Sequence, residues 1–397
     1  MATQQVDGAQ LAPSSQPLTV AIGLIGPGLI GSAFLRQLLK QAPRLLAPLH
    51  ASSLTVVGVA NSRRMLLRSS VAVASAEGSW EQQLTNEGEP MDLSRFISAI
   101  AAAASPASSS SGSFPAPAPR PCGVLVDCSA SEEVAAAYPA AVRAGLHVIT
   151  PNKKFGAGPL ARYQELMRLS ERCQRRFMYE ATVGAGLPVI STLQSLMQTG
   201  DRIIRVEGIL SGTLSYIFNT YKPGMRFSDV VADAKAKGYT EPDPRDDLSG
   251  LDVARKVVIL AREVGLAVEL EGLQVESLVP QPLSDPGVTS IEAFMQGLPQ
   301  HDEAMSARAA EADAAGGVVR YVGCVDVEAG SAGVSLRSYP SGHPFAQLSG
   351  SDNLLVITSE RYLERPLCVR GPGAGAEVTA AGVFGDLIQV IRSHPRL

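Results

Sequence analysis

The run from Gly238 to Lys256, GYTEPDPRDDLSGLDVARK, gathers carboxylates, a tyrosine and one lysine into a short stretch. That set suits an enzyme that holds an amino acid and moves a proton. Carboxylates such as Glu241, Asp246 and Asp247 can grip an α-ammonium group by charge-assisted hydrogen bonds, while Lys256 can give a proton to a carbonyl oxygen as it is reduced. The apolar spacing of LSGLDVARKVVILAREVG predicts an amphipathic helix on which Asp252 and Lys256, at i and i+4, share one face. Glu241, Asp246 and Asp247 then fall in the loop entering it. A plain surface fits the same residues, because Asp-rich loops commonly cap helices and i,i+4 Asp/Lys pairs commonly sit in solvent.

A second signature lies two hundred residues earlier. The apolar run LTVAIGLI leads into Gly26-Pro27-Gly28-Leu29-Ile30-Gly31 and then into a helical pattern from Ser32. In a dinucleotide-binding turn the first glycine permits the tight bend, the second admits a pyrophosphate and the third lets helix and strand pack. A second apolar strand, LTVVGVA over 54–60, arrives at the right distance to support that reading. It ends in Asn61-Ser62-Arg63-Arg64 and not in an acidic residue. Arginines there can accept a 2′-phosphate, which favours NADP over NAD, though a solvated loop reads the same way.

These side chains need a scaffold. The βα alternation from Thr19 to Thr150 predicts a parallel, doubly wound sheet, with ligand contacts in loops at the carboxyl ends of its strands. Ser129, after GVLVDC, and the turn Pro151-Asn152-Lys153-Lys154 occupy such loops. Lys153 could neutralise a phosphate or a developing oxyanion, or simply be exposed. Further on, strands such as RIIRVEGIL and VVRYVGCVDV mix with longer helices, as expected of a separate α+β domain. The expected organisation is a flexible lead-in over 1–18 and a nucleotide-binding domain over 19–187, completed by 376–397. A catalytic and dimerisation domain over 188–375 lies between, and a Ser/Pro/Ala tract at about 102–121 reads as a disordered insert.

The 397 residues are 45% hydrophobic and 18% charged with a formal net charge of −4, enough to bury a large core and make two domains. No run is apolar for long enough to cross a bilayer, and no basic face suggests nucleic acid. The five cysteines are scattered and odd in number, which suits reduced structural thiols inside a cell. The first eighteen residues lack Lys and Arg and resemble neither a secretory signal nor a basic transit peptide.

The segments GLIGPGLIG, VDCSAS, HVITPNKK, YEATVGAGLPVI, GILSGTLSYIF, GYTEPDPRDDLSGLDVARK, RYVG and RGPGAGAEVTAAGVFGDLI occur in an order that resembles homoserine dehydrogenase. The chain is most like the dehydrogenase half of bifunctional aspartate kinase–homoserine dehydrogenases. The resemblance covers nearly everything from Thr19 to about Val390. It implies reduction of L-aspartate 4-semialdehyde to L-homoserine with NADPH or NADH, a step toward threonine, methionine and isoleucine, in the cytoplasm or the plastid stroma.

Carried over position by position, Lys256 is the implied general acid and base and Lys153 a second active-site lysine. Glu241 and Asp252 are the implied substrate carboxylates, with Asp247, Thr213 and Tyr239 as further pocket residues. Implied cofactor contacts are Gly26, Gly28, Leu29, Ile30, Gly31, Asn61, Arg63, Ser129, Lys153, Gly238 and Gly375; Ser129 replaces the usual threonine but keeps a hydroxyl. A monovalent cation, Na+ or K+, is implied at Glu180, Val183, Ala185 and Leu187, and a homodimer built through a sheet of the second domain.

The segment before Thr19 is too short for a kinase domain, so a stand-alone enzyme and an excised part of a longer one both fit. Other readings are a different small hydroxy-acid dehydrogenase and a noncatalytic dinucleotide-binding protein. An aspartate-semialdehyde dehydrogenase would need a nucleophilic cysteine with a base beside it, and none stands out.

Overall fold

The computed structural model describes residues 18–49, 51–71, 79–104, 120–285 and 290–394. The expected lead-in and insert lie outside these residues except at their edges, where Leu18 opens a strand, Ala102 and Ala103 finish a helix and Arg120 opens another strand.

Seven strands, β1 (Leu18–Ile25), β2 (Ala51–Ala60), β3 (Arg64–Leu67), β4 (Glu89–Pro90), β5 (Arg120–Asp127), β6 (Leu146–Ile149) and β7 (Phe177–Met178), form one sheet in the order β4-β3-β2-β1-β5-β6-β7. The pairs β1–β2, β1–β5, β5–β6 and β6–β7 are parallel, as the βα alternation predicts. The edge departs from that prediction: β3 and β4 pair antiparallel. Asn61 explains the reversal. Its Oδ1 accepts the backbone N–H groups of Arg63 and Arg64, both at 2.8 Å, and so turns the chain straight back on β2.

Strand order reverses between β1, whose successor lies on one side, and β5, which lies on the other. The carboxyl ends of these two strands flank the crevice where an open α/β sheet binds ligands. Gly26, just after β1, has φ +81°, and a Cβ there would lie 2.5 Å from the Ser129 nitrogen. A Cβ on Gly31 would lie 2.4 Å from the Gly26 carbonyl, so both positions exclude larger residues.

A second sheet takes the order β13-β12-β8-β10-β11-β9, from β8 (Ile203–Ile209), β9 (Gln274–Val275), β10 (Gly317–Asp326), β11 (Ser331–Pro340), β12 (Asp352–Ser359) and β13 (Leu367–Pro372). It is antiparallel apart from β11–β9. The helix Leu251–Glu263 packs on β10 and β11 and buries Val253, Ala254, Val257, Val258, Ile259, Leu260 and Ala261. At roughly 1.5–3 kcal/mol for each large apolar side chain removed from water, that face outweighs any surface ion pair in fixing the helix.

The helix Ala376–Ser393 returns to the first sheet. Its Val383, Phe384, Leu387 and Val390 join the core formed by β1, β2, β5 and the helix Leu29–Leu45, with the Phe34 and Phe384 rings 6.2 Å apart. The Arg36–Glu377 ion pair outside is exposed and adds little beside that core.

Candidate active site

The expected helix begins later than its sequence pattern. Asp246 and Asp247 lie in a separate short helix, Pro244–Leu248, and not in a loop. Asp243 caps it by accepting the Arg245 N–H at 3.0 Å, and Pro244 suits its first turn. Gly250, at φ +73°, then breaks the path before Leu251. A Cβ on Gly250 would lie 2.0 Å from the Tyr321 hydroxyl, which donates to the Glu276 carbonyl at 2.6 Å. Gly250→Ala is therefore expected to destabilise the fold by about 2–5 kcal/mol, combining left-handed backbone strain with overpacking. A urea midpoint unchanged from the parent would contradict this.

Lys256 projects from the new helix into a buried position. Its Nζ donates to the Leu210 carbonyl at 2.6 Å and pairs with Asp252 Oδ2 at 2.7 Å. Lys153, opening the short helix Lys153–Gly156, reaches Asp252 Oδ1 at 3.3 Å. Asp252 thus bridges two ammonium groups. Burial pushes its carboxyl pKa up, but the ammonium groups of Lys256 and Lys153 overcome that and hold it well below the usual carboxylate range. For Lys256 burial prevails: desolvation lowers its pKa, Asp252 pulls it up and Lys153 pushes it down again.

One cavity of about 880 Å³ unites the two distant signatures. Lys153, Glu241, Asp247, Asp252 and Lys256 line it together with Leu29, Ile30 and Gly375. Ser211, Ser249, Arg255 and Thr379 also line it and were not foreseen. Arg255 could have been found, since it stands at i+3 from Asp252 on the same helix face. A neighbouring cavity of about 390 Å³ is lined by Gly26, Gly28 and Asn61 with Trp80 and Leu84.

Other expected residues fall outside these walls. Cys128, not Ser129, lines the large cavity; Ser129 lies behind Gly26, where its N–H donates to Asp127 Oδ1 at 2.8 Å. Arg63 is exposed and lines neither cavity, and Arg64 is turned away to bond the Gly88 carbonyl. Thr213 Oγ1 donates to the Tyr239 carbonyl at 2.7 Å, and the Tyr239 ring stacks on Tyr216 at 4.2 Å. Gly238 ends the helix Phe227–Ala236, which accounts for its positive φ. Asp247 bonds the Glu241 N–H at 2.8 Å, so this group tethers the loop that presents Glu241. Burial raises the Asp247 pKa against that hydrogen bond.

Glu180 has main-chain partners of its own. Its carboxylate accepts the N–H groups of Val189 and Ile190, both at 2.7 Å, and of Ser191 at 2.9 Å. In this way it holds the start of the helix Ile190–Gln198. In the loop that follows, Gly184 (φ +76°) and Ala185 (φ +55°) turn the chain.

Among the described residues, the donor atoms of Cys122, His147 and His394 lie within 4.8 Å of one another near the amino ends of β5 and β6, away from the cavity. They do not make a convincing metal centre. His147 Nδ1 accepts the Arg176 N–H at 3.0 Å, so the neutral ring carries its proton on Nε2. Burial, and then nearby Arg175, press the His147 pKa down to about 3, keeping the ring neutral.

The model of the homoserine dehydrogenase family matches residues 188–388, and that of the homoserine dehydrogenase NAD-binding domain matches residues 26–180. The chloroplastic bifunctional aspartokinase/homoserine dehydrogenase 1 of Zea mays is 52% identical over 372 residues, covering 94% of this chain. The chain spans 38% of that relative's length. Homoserine dehydrogenase of Schizosaccharomyces pombe is 43% identical over 327 residues, 81% of this chain and 86% of its own.

Among solved structures, a Candida auris protein of unknown function superposes with a TM-score of 0.80 at 38% identity, covering 96% of this chain and 99% of its own. A hyperthermophilic archaeal homoserine dehydrogenase solved with NADPH shares the fold, with a TM-score of 0.67 at 23% identity over 96% of this chain and 100% of its own.

Proposed function

The chain belongs to the homoserine dehydrogenase family, and from that membership we propose that it interconverts L-homoserine and L-aspartate 4-semialdehyde with NADP favoured over NAD. The observation that carries this reading is the shared cavity, where Lys256, Asp252 and Lys153 face Leu29, Ile30 and Gly375. Exposed Arg63, which follows Asn61 and Ser62 in the wall of the smaller cavity, supports the 2′-phosphate preference.

When bound, the nicotinamide supplies or accepts a hydride. The protein's own residues manage the proton. Of the three N–H bonds of protonated Lys256, one goes to Leu210 and one to Asp252, leaving one for the substrate oxygen. As that oxygen becomes alkoxide-like, the ammonium stabilises it and transfers the proton. Asp252 keeps both lysines in place, and Glu241 and Asp247 receive the substrate ammonium group. For Na+ or K+ the reading retains main-chain carbonyls of Glu180, Val183, Ala185 and Leu187, and no step passes through the ion.

Absorbance at 340 nm, the usual nicotinamide wavelength, tests the activity. Homoserine with NADP should give steady turnover, faster than with NAD; no turnover with either would refute it. The pH profile follows from Lys256. Homoserine oxidation needs the neutral amine, so kcat should rise with pH to a plateau whose midpoint lies below 10.5, because burial lowers that pKa. Aldehyde reduction needs the ammonium and should fall through the same midpoint. A midpoint at or above 10.5 would contradict the buried environment.

No helix among the described residues is long and apolar enough to cross a membrane. A plastid or cytoplasmic setting goes with this activity, and the chloroplastic naming of the plant relatives supports the plastid. A homodimer through the second sheet is the matching assembly, which gel filtration would test.

A further inference from the structure

We propose, resting on the homoserine activity inferred above, that Arg255 is the residue that recognises the substrate's α-carboxylate. An amino-acid substrate is a zwitterion, so its site must offer an anion and a cation of its own. The cavity holds three cationic side chains, Lys153, Arg255 and Lys256. Two are spoken for: both lysines are paired to Asp252, at 3.3 and 2.7 Å. Arg255 differs. Among the described residues no hydrogen bond or ion pair engages its guanidinium, although it is only partly exposed and lines the same cavity as Lys256.

The Glu241 carboxylate is its mirror image, lining the cavity with no ion pair of its own among the described residues. Open anion and open cation thus face one space, the arrangement a zwitterion completes. A guanidinium suits the task because its planar fork meets both oxygens of a carboxylate, which a lysine cannot do. Its place one residue before Lys256 ties the carboxylate end of the substrate to the same helix that holds the proton donor. Arg255 is thus a specificity residue, binding the end of the substrate that does not react.

The test compares L-homoserine with its amide, homoserinamide, as substrates for the parent, Arg255→Gln and Arg255→Lys, with NADPH binding followed by fluorescence. Arg255→Gln should lower kcat/KM for homoserine by about 10–100-fold, the loss of hydrogen bonds to a charged group, chiefly through KM. Its kcat/KM for the amide and its NADPH affinity should stay near the parent's, and Arg255→Lys should fall between. Near-parent kcat/KM for homoserine in Arg255→Gln, or equal losses for both substrates, would overturn the assignment. A parent protein that binds NADPH but does not oxidise homoserine would overturn the activity itself, and the role of Arg255 with it.

Discussion

Replacing Lys256 by alanine should lower kcat by roughly 10³-fold or more, since proton transfer and oxyanion stabilisation each contribute factors of about 10²–10³. NADPH affinity should be nearly unchanged, because the lysine's contacts are to Leu210 and Asp252 and not to the glycine turn. Lys256→Arg separates the two contributions. A guanidinium keeps the charge but does not release its proton at accessible pH, so it should preserve the fold and restore little turnover. Single-turnover kinetics with a deuterated hydride donor would locate the defect in the chemical step. Turnover within a few-fold of the parent in Lys256→Ala would remove the lysine from the mechanism.

Glu180→Leu is the change expected to harm stability most. It strips a carboxylate from three backbone N–H groups at the start of the helix Ile190–Gln198. Hydrogen bonds to charged groups contribute about 1.5–3 kcal/mol each, without strict additivity, so a loss on the order of 4 kcal/mol is expected in urea unfolding. Glu180→Gln should recover only part of it, because one amide end presents N–H to N–H. If the carboxylate instead existed to hold a cation, the parent's urea midpoint would depend on Na+ or K+ and the Gln variant would lose that dependence. The hydrogen bonds predict instead that any dependence on either ion survives in the Gln variant, because an ion held by main-chain carbonyls does not need the carboxylate.

The glycine turn, the βα order and the Asp252–Lys256 pair were legible because each repeats at a fixed spacing that the backbone enforces. Gly26 and Gly31 are dictated by close backbone contacts, and Asp252 and Lys256 meet because four residues make one helical turn. The limits are equally physical. Asp246 and Asp247 read as loop because a one-turn helix has no periodicity of its own; its signal was the cap, Asp243 before Pro244. Strand β3 hides behind Asn61, whose side chain reverses the chain within two residues. Cys128 and Ser129 come after the end of β5, where strand alternation no longer tells which side chain faces the crevice. Nothing in the spacing around Glu180 tells whether its oxygens face a helix start or an ion, since both attract the same carboxylate.

The helix Ala376–Ser393 is made last of all the described elements, yet Val383, Phe384 and Leu387 fill the same core as β1 and the helix Leu29–Leu45. During synthesis, the crevice that begins at Gly26 must wait with an open flank while more than three hundred residues emerge. A nascent chain stopped before Ala376 would carry every glycine of the turn and still expose Phe34 and Leu38 to water, making it a natural client for a chaperone. Ribosome-arrested chains of increasing length should therefore become protease-resistant in the first sheet only once this helix has been released.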